Sequence, residues 1–368
     1  METQGQDRDE RRWGERTLRY ARMAEMKRAR VAPFLLLTGV ALALNAPHGK
    51  AQDDPSALAE KIEKARDLAG IRGKGMPGFR MIGDIRIWVK KGSPAEGKYL
   101  LIWTPEGKWK EEIVLNGYKR IRIGDGKQFS QIRNTDMEYP PVFELERLMD
   151  VSRELKPKEG VRLSRTRPEK IDGQDAECIK REWGGGNAES MCFDPKSGAL
   201  LTNVQGKSKY QLPLNFRSEE YSQFQQWAGK IYPRTMRGFD GKQLLFEVQL
   251  EEIKTLPHLS PDFFAPPKDS VLWADCTEGG MWKIKERVPP VYPESAKARG
   301  IEGVVVLYGV IEADGTVSSL RPVYPTGSGL DQAAASAVSR WRYERDACPE
   351  AAGRTETLID IIFELRRH

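Results

Sequence analysis

The stretch VPPVYPESAKARGIEGVVVLYGVIEADGTV, residues 288–317, places extended, helical, strand and turn signals in close succession. Its first six residues include three prolines, which favour an extended backbone. Pro293 suits the first turn of a short helix over residues 294–299, and Gly300 is typical of a residue that ends a helix. The stretch therefore predicts an extended lead followed by one short helix.

A strand hairpin is predicted next. Residues 304–311 are apolar and rich in β-branched side chains, which favour a strand. Asp314 and Gly315 form a dipeptide that is typical of a two-residue hairpin turn, and residues 317–324 are the predicted return strand.

A second helix and a last strand complete the segment. From Leu330 to Arg342 apolar residues recur at helical spacing. Asp331 lies in the first turn of this helix, where a carboxylate interacts favourably with the helix dipole. Residues 357–365 read as a strand. The predicted order is helix, strand, strand, helix, strand.

These residues, in this order, resemble the TonB C-terminal domain over residues 285–368. The resemblance implies a small two-helix, three-strand domain in the periplasm that contacts outer-membrane transporters and passes on energy harvested at the inner membrane. The matching positions are Pro290, Tyr292, Pro293, Ala296, Gly300, Gly303, Val305, Asp314, Gly315, Val317, Leu330, Asp331, Ala333, Ala334, Ala337, Val338, Trp341 and Phe363.

The same resemblance implies a mode of partner binding. In this family a transporter peptide adds as a strand to the edge of the sheet. The expected partner is an outer-membrane transporter or another envelope protein. The strand that this implicates consists of Thr357, Leu358, Ile359, Asp360, Ile361, Ile362 and Phe363.

Residues 1–51 have the features of an export segment. Basic residues precede the uncharged run 31–46, and Gly49 and Ala51 put small residues at the two positions that a signal peptidase reads, with Gln52 as the new start. The run is shorter than the roughly 20 residues that span a bilayer. We expect a cleaved signal peptide, with a retained inner-membrane anchor as the alternative.

The four cysteines fit an exported protein. Cys178 and Cys192 are equidistant from Gly185 in a glycine-rich turn, so two strands folding back there would place them opposite each other. We expect a cross-strand disulfide between them. Cys276 and Cys348 remain as a second pair. Free thiols are the alternative, and a zinc site is disfavoured because no two cysteines have close ligand spacing.

Residues 52–269 predict a helix followed by a meandering antiparallel sheet that one further helix interrupts. Asn116-Gly117 and similar turn dipeptides separate segments of alternating polarity. The predicted helices are residues 55–68 and 142–155. The predicted strands are residues 80–89, 98–103, 109–115, 118–123, 127–133, 161–166, 176–183, 189–193, 200–204, 210–214, 221–228, 231–237 and 243–253.

This pattern resembles the open β-barrel or half-barrel of LolA-like periplasmic lipoprotein carriers. The supporting segments are residues 103–108, 124–126, 193–198, 232–233 and 259–264. The resemblance implies a concave face that holds acyl chains of a lipid or lipoprotein. The candidates to line it are Trp88, Trp103, Trp109, Phe129 and Trp183, and the alternative for each is an ordinary core position. Residues 270–284 are the predicted linker to the C-terminal domain, and their aromatic residues favour a packed linker.

Composition excludes several classes of function. Charged residues make up 30% of the 368-residue chain, mean hydropathy is −0.58, and the net charge of +6 is unaccompanied by any nucleic-acid-binding signature. The three histidines, His48, His258 and His368, are badly placed for acid–base catalysis. Residues 73–78 match G-x-G-x-x-G, but they precede a strand and contain Pro77, so we expect no nucleotide cofactor.

The sequence thus predicts an α+β, non-enzymatic envelope protein with no cofactor and no metal, in which a carrier-like domain is joined to a docking domain. Two alternatives stay open. One is an inner-membrane-anchored energy transducer that couples to a proton-driven motor. The other is a periplasmic carrier of lipids or lipoproteins. Two absences count against the energy transducer. This chain has no long proline-rich spacer, and its apolar run contains no charged or histidine residue of the kind that energy transducers carry there.

Overall fold

The computed structural model describes residues 54–88, 93–157, 160–206, 216–256, 259–274, 282–345 and 353–365. The predicted export segment, the predicted strand over residues 210–214, and Cys276 and Cys348 lie outside these ranges. Within the ranges, no helix has the length and apolar character needed to cross a membrane.

Helices and strands follow one another along the described chain in two blocks. The helices are α1 (Pro55–Ala69), α2 (Pro140–Met149), α3 (Val151–Glu154), α4 (Glu294–Ala298) and α5 (Leu330–Val338). The strands are β1 (Phe79–Ile87), β2 (Ala95–Trp103), β3 (Trp109–Leu115), β4 (Tyr118–Gly124), β5 (Gln128–Arg133), β6 (Arg162–Arg165), β7 (Glu169–Ile171), β8 (Gln174–Trp183), β9 (Asn187–Phe193), β10 (Leu200–Gln205), β11 (Ser218–Trp227), β12 (Lys230–Asp240), β13 (Gln243–Leu250), β14 (Lys254–Thr255), β15 (Val271–Ala274), β16 (Trp282–Glu286), β17 (Gly303–Ile311), β18 (Val317–Pro322), β19 (Arg342–Arg345) and β20 (Thr355–Phe363).

Strands β1 to β15 form one open 15-stranded sheet, which we call the large sheet. Its path runs β15-β5-β4-β3-β2-β1-β13-β12-β11-β10-β9-β8-β6, with β14 beside β1 and β7 beside β8. The pairings are antiparallel, and the two ends of the path do not meet. The predicted antiparallel meander is confirmed, and it is an open sheet rather than a closed barrel.

Helices α1, α2 and α3 pack on one face of the large sheet. Asp54 caps α1 by accepting a hydrogen bond from the backbone N–H of Ser56 at 2.9 Å, and Leu58 and Ile62 bury the helix's apolar face. Alternate residues of β1, such as Met81 and Ile85, belong to the same core. The helices and these strand residues therefore share one core on this face of the large sheet.

The helix predicted over residues 142–155 is two helices in the structure. Asp150 ends α2 and begins α3, because its side chain accepts a hydrogen bond from the backbone N–H of Arg153. Aspartate is a preferred cap residue, so a polar residue inside an apolar pattern marks a break that helical spacing alone does not show.

The C-terminal residues form a small three-stranded sheet in the order β18-β17-β20, which we call the small sheet. Helices α4 and α5 contribute Ala296, Ala334 and Val338 to its core. The predicted order of helix, strand, strand, helix, strand is observed, with one further short strand, β19, between α5 and β20. Gly315 is required in the β17–β18 turn, since its φ is +81° and a Cβ there would lie 1.9 Å from the carbonyl oxygen of Tyr343.

Two local predictions in this region were wrong. The helix predicted to reach Arg342 ends at Val338, because residues 342–345 form β19 and pair with β16. Pro293 lies just before α4 as its cap, not inside its first turn. At residues 342–345, pairing with a strand that is distant in sequence overrides the local helical signal.

The expected cross-strand disulfide is present. Cys178 in β8 lies directly opposite Cys192 in β9, their sulfurs are bonded, and both side chains are buried. The bond crosses two neighbouring strands near one end of the large sheet.

Removing this disulfide should lower the free energy of unfolding by about 3 kcal/mol, because the cross-link restricts the unfolded chain. The variant is Cys178→Ala/Cys192→Ala, and the measurement is urea unfolding under oxidising conditions. When both proteins are fully reduced, the wild type and the variant should unfold at the same midpoint. A variant as stable as the oxidised wild type would contradict the prediction.

Candidate functional site

Strand β20 forms a regular edge of the small sheet. All nine of its residues pair with β17, with Asp360 opposite Val306. The backbone carbonyl of Val306 accepts a hydrogen bond from Val323 N–H at 2.8 Å, so the peptide groups of Val306 point towards β18. In an antiparallel ladder the residue opposite such a position turns its own N–H and C=O away from the pair.

The outer edge of β20 therefore presents alternate peptide groups that β17 does not use. These belong to Glu356, Leu358, Asp360 and Ile362. Just before β20, Arg354 forms an isolated bridge with Trp273 of β15; from Thr355 to Phe363 no strand among the described residues pairs with this edge. We call it the docking edge.

The opposite edge of the small sheet is irregular. In β18, Ser319 has a φ of +53°, and the register with β17 shifts between Tyr308 and Val310. The strand ends at Pro322, which has no N–H to donate. Bulges and prolines protect sheet edges from pairing, so β20 is the edge better suited to accept another strand.

Side chains of β20 alternate between two environments. Ile359, Ile361 and Phe363 are buried in the core of the small sheet. Leu358 points to the other face and is buried, whereas Ile362 on the same face is 51% exposed. The exposed isoleucine gives the docking edge an apolar end.

The face of the small sheet that carries Leu358 packs against the large sheet, and we call this contact the seam. Trp273 of β15 lies at its centre and is buried. The backbone N–H of Ala274 donates to the carbonyl of Arg354 at 2.9 Å across the contact. The apolar residues of the seam are Phe129, Met137, Phe143, Trp273, Val304, Val306, Tyr308, Val310, Val323 and Leu358.

One end of the seam is fastened by a buried ion pair. Arg133 Nη1 donates to Glu356 Oε2 at 2.7 Å, and Gln131 Nε2 donates to the same oxygen at 3.2 Å. The hydroxyl of Tyr308 also donates to this carboxylate. Burial opposes the charge of Arg133, but the hydrogen bond and charge of Glu356 outweigh it and raise the pKa of the guanidinium. We call these four side chains the clasp.

A buried ion network in the large sheet continues from the clasp. Arg120 Nη1 contacts Glu138 Oε2 at 2.8 Å, and Arg122 Nη2 contacts the same oxygen at 3.0 Å. Arg120 also pairs with Glu111 and Glu146. Burial alone would raise the pKa of Glu138, but the two guanidinium groups lower it. The network fixes the start of α2 to strands β3 and β4.

The other end of the seam holds a carboxyl with no partner. Both carboxylate oxygens of Asp360 are buried and make no hydrogen bond to any described residue. Burial, and then the charge of Glu144 on α2, raise the pKa of Asp360 to about 8.

The positions that carried the family resemblance serve the core of the C-terminal residues. Tyr292 packs edge-on against Phe363 at 5.4 Å, and Trp341 Nε1 donates to the carbonyl of Val288 at 2.8 Å. Asp331 accepts a hydrogen bond from Thr326 N–H at 2.8 Å. The remaining motif positions in the described structure are Pro290, Pro293, Gly300, Gly303, Asp314, Gly315 and Leu330.

The candidate lipid-binding aromatic residues do not form one surface. Trp103 is buried in the core and stacks on Phe79 at 5.9 Å, while Trp109 packs against Phe129 at 5.8 Å. Phe129 also contributes to the seam. Trp88 and Trp183 lie at the ends of other strands and are half-buried.

Sequence reasoning missed the seam, the clasp and the ion network. The network left a signal, because Glu111, Arg120 and Arg122 occupy the same alternating face as the apolar core residues Ile113 and Leu115. The clasp left none, since Arg133 and Glu356 are 223 residues apart.

The C-terminal residues are similar to known proteins. The family model described as Gram-negative bacterial TonB protein C-terminal matches residues 288–365. These residues are similar to the TonB C-terminal family. TonB of Pseudomonas aeruginosa is 39% identical over 57 residues, which are 15% of this chain and 17% of that protein. The chain thus spans about a sixth of this TonB relative's length.

Two solved structures are similar to parts of this chain. The solution structure of the Pseudomonas aeruginosa TonB C-terminal domain is 26% identical, covers 25% of this chain and 94% of its own, and has a TM-score of 0.22. A LolA superfamily protein from Nitrosomonas europaea is 10% identical, covers 56% of this chain and 96% of its own, and has a TM-score of 0.35.

Proposed function

We propose that this protein is a non-enzymatic component of the bacterial cell envelope whose TonB-like residues bind a partner by strand addition at the docking edge. The partner class is an extended segment of an outer-membrane transporter or of another envelope protein. The observation that carries the proposal is the regular edge of β20, with which no strand of the described chain pairs, in contrast to the bulged β18 at the opposite edge of the small sheet. Backbone hydrogen bonds would supply affinity, and Ile362 would add an apolar contact.

The proposal assigns one part of the chain to each task. Residues 1–51 export the protein to the periplasm or anchor it, residues 52–269 form the LolA-like domain, residues 270–284 connect, and residues 285–368 form the docking domain. In the structure, β15 of the connecting segment pairs with the large sheet and β16 pairs with β19. This supports a docking domain held against its neighbour rather than carried on a free arm.

Ile362→Pro should abolish partner docking, because it removes an outward-pointing N–H without removing a hydrogen bond to β17. The measurement is site-specific photo-crosslinking in intact cells of the source bacterium, with the probe at Glu364 beside the docking edge. The crosslinked partner is then identified by mass spectrometry.

The matched control is Ile362→Ala, which keeps the N–H and loses only side-chain contacts. It should retain crosslinking, and circular dichroism should show both variants folded. A folded proline variant that still crosslinks to the same envelope protein would argue against strand addition. Failure of every variant and of the wild type to crosslink an envelope protein would argue against the function itself.

A further inference from the structure

The seam contains two carboxyl groups, one that is paired with a cation and one that has no hydrogen-bond partner among the described residues. At the clasp, Glu356 is paired with Arg133 and accepts further hydrogen bonds from Gln131 and Tyr308. Asp360 lies four residues along the same strand, on the same face, and its buried oxygens have no partner among the described residues. A buried carboxylate without a hydrogen-bond partner is unfavourable, so this end of the seam favours a neutral carboxyl.

Among the described residues, no cation offsets the burial of Asp360. Strand β17 places Val304 and Val306 on this face. Helix α2 presents Glu144, whose charge repels an ionised Asp360. The nearby guanidinium of Arg147 is bound to Glu144 at 3.0 Å and to Glu219 at 3.0 Å.

We propose that the seam is a proton-dependent contact, which closes when Asp360 is protonated and opens when Asp360 is ionised beside Glu144. Opening would move the Leu358 face of the small sheet away from β15 and α2. The clasp would oppose this repulsion at the other end of the seam. The inference does not depend on what binds the docking edge.

The direction of the pH dependence follows from where the proton is held more tightly. In the closed state the pKa of Asp360 is about 8, against 3.8 for a solvated aspartate. The closed state therefore binds the proton more tightly. Closure is strongest below the solvated pKa, weakens through the window between the two values, and is weakest above the closed-state pKa. Within that window the equilibrium constant for closure should fall about tenfold for each pH unit.

The test uses full-length protein labelled with 5-fluorotryptophan. Trp273 lies in the seam, so its ¹⁹F resonance, assigned with Trp273→Phe, reports the closed and open populations. Hydrogen exchange of the Ala274 amide reports rarer opening, since that N–H is bonded across the seam to Arg354. Both are followed from pH 5 to pH 8. In the wild type, opening should rise by roughly a hundredfold over two pH units within this range.

Asp360→Asn should remove this dependence, because the amide mimics the protonated acid. The matched control is Asp136→Asn, which removes an exposed ion pair with Arg321 across the same seam and should keep the full pH dependence. Asp360→Asn with the same pH dependence as the wild type would overturn the proposal. So would a wild-type protein in which neither probe changes beyond the ordinary pH dependence of amide exchange.

Discussion

Arg120→Leu is expected to lower the free energy of unfolding by about 3–5 kcal/mol at pH 7. The Arg120 side chain is 1% exposed, and it pairs with Glu111, Glu138 and Glu146 at the junction of β3, β4 and the start of α2. Removing the cation leaves buried carboxylates without their main partner, and the cost of desolvating them is no longer offset. Urea unfolding followed by circular dichroism measures the change.

The decrease in the free energy of unfolding caused by Arg120→Leu should be smaller at lower pH. In the wild type the guanidinium groups lower the pKa of Glu138 below 4.5, so its contribution to stability is present at pH 5 and above and is lost only at lower pH. In the variant, burial should raise that pKa above the unfolded value, and protonation then relieves the penalty. The difference from the wild type should therefore be smaller at pH 5 than at pH 7.

An exposed ion pair provides the control. Lys98 and Asp84 are 2.6 Å apart on the outer face of the large sheet, with 62% and 48% of their side chains exposed. Lys98→Met should change the free energy of unfolding by no more than about 1 kcal/mol at either pH. Equal losses for the two substitutions would mean that burial of the Arg120 network contributes nothing.

The parts of the fold that sequence predicts well are set by neighbours in the chain. Strand β3 has the predicted bounds, because alternating residues end at Asn116-Gly117, and both turn residues adopt the positive φ that this dipeptide favours. The Cys178–Cys192 pairing follows from its symmetry about a local turn. In each case the information lies within a few residues of the feature.

Sequence reasoning misses contacts between residues that are far apart in the chain. Glu138 and Arg120 carry charges that are typical of a solvated surface, and only the folding of α2 over β4 shows that they satisfy each other. Asp360 belongs to the predicted docking strand, and that strand lies at an edge of the small sheet. That its carboxyl is buried beside Glu144 depends on how two sheets pack, and no local pattern encodes this.

Trp341→Ala is expected to destabilise the TonB-like residues by about 3–5 kcal/mol. Trp341 is 2% exposed in the core beneath α5, and its indole N–H holds the extended lead through Val288 at 2.8 Å. Truncation removes the packing and frees that carbonyl. Strands β17 and β20 pair with each other within the TonB-like residues, so the exchange of their amide hydrogens should become faster. The amides of β1 to β4 in the large sheet should keep their protection.

Trp282→Ala is the matched control for this prediction. Trp282 is half-buried in β16, where it stacks with Arg345 at 4.7 Å and donates to Thr355 Oγ1 at 3.0 Å, so it lies at the rim of the same unit. Its truncation should cost clearly less, on the order of 1 kcal/mol. If the two truncations accelerated exchange equally, Trp341 would not anchor the core. If Trp341→Ala also released β1 to β4, the seam would join the two sheets into one cooperative unit, and opening of the seam at high pH would then require global unfolding.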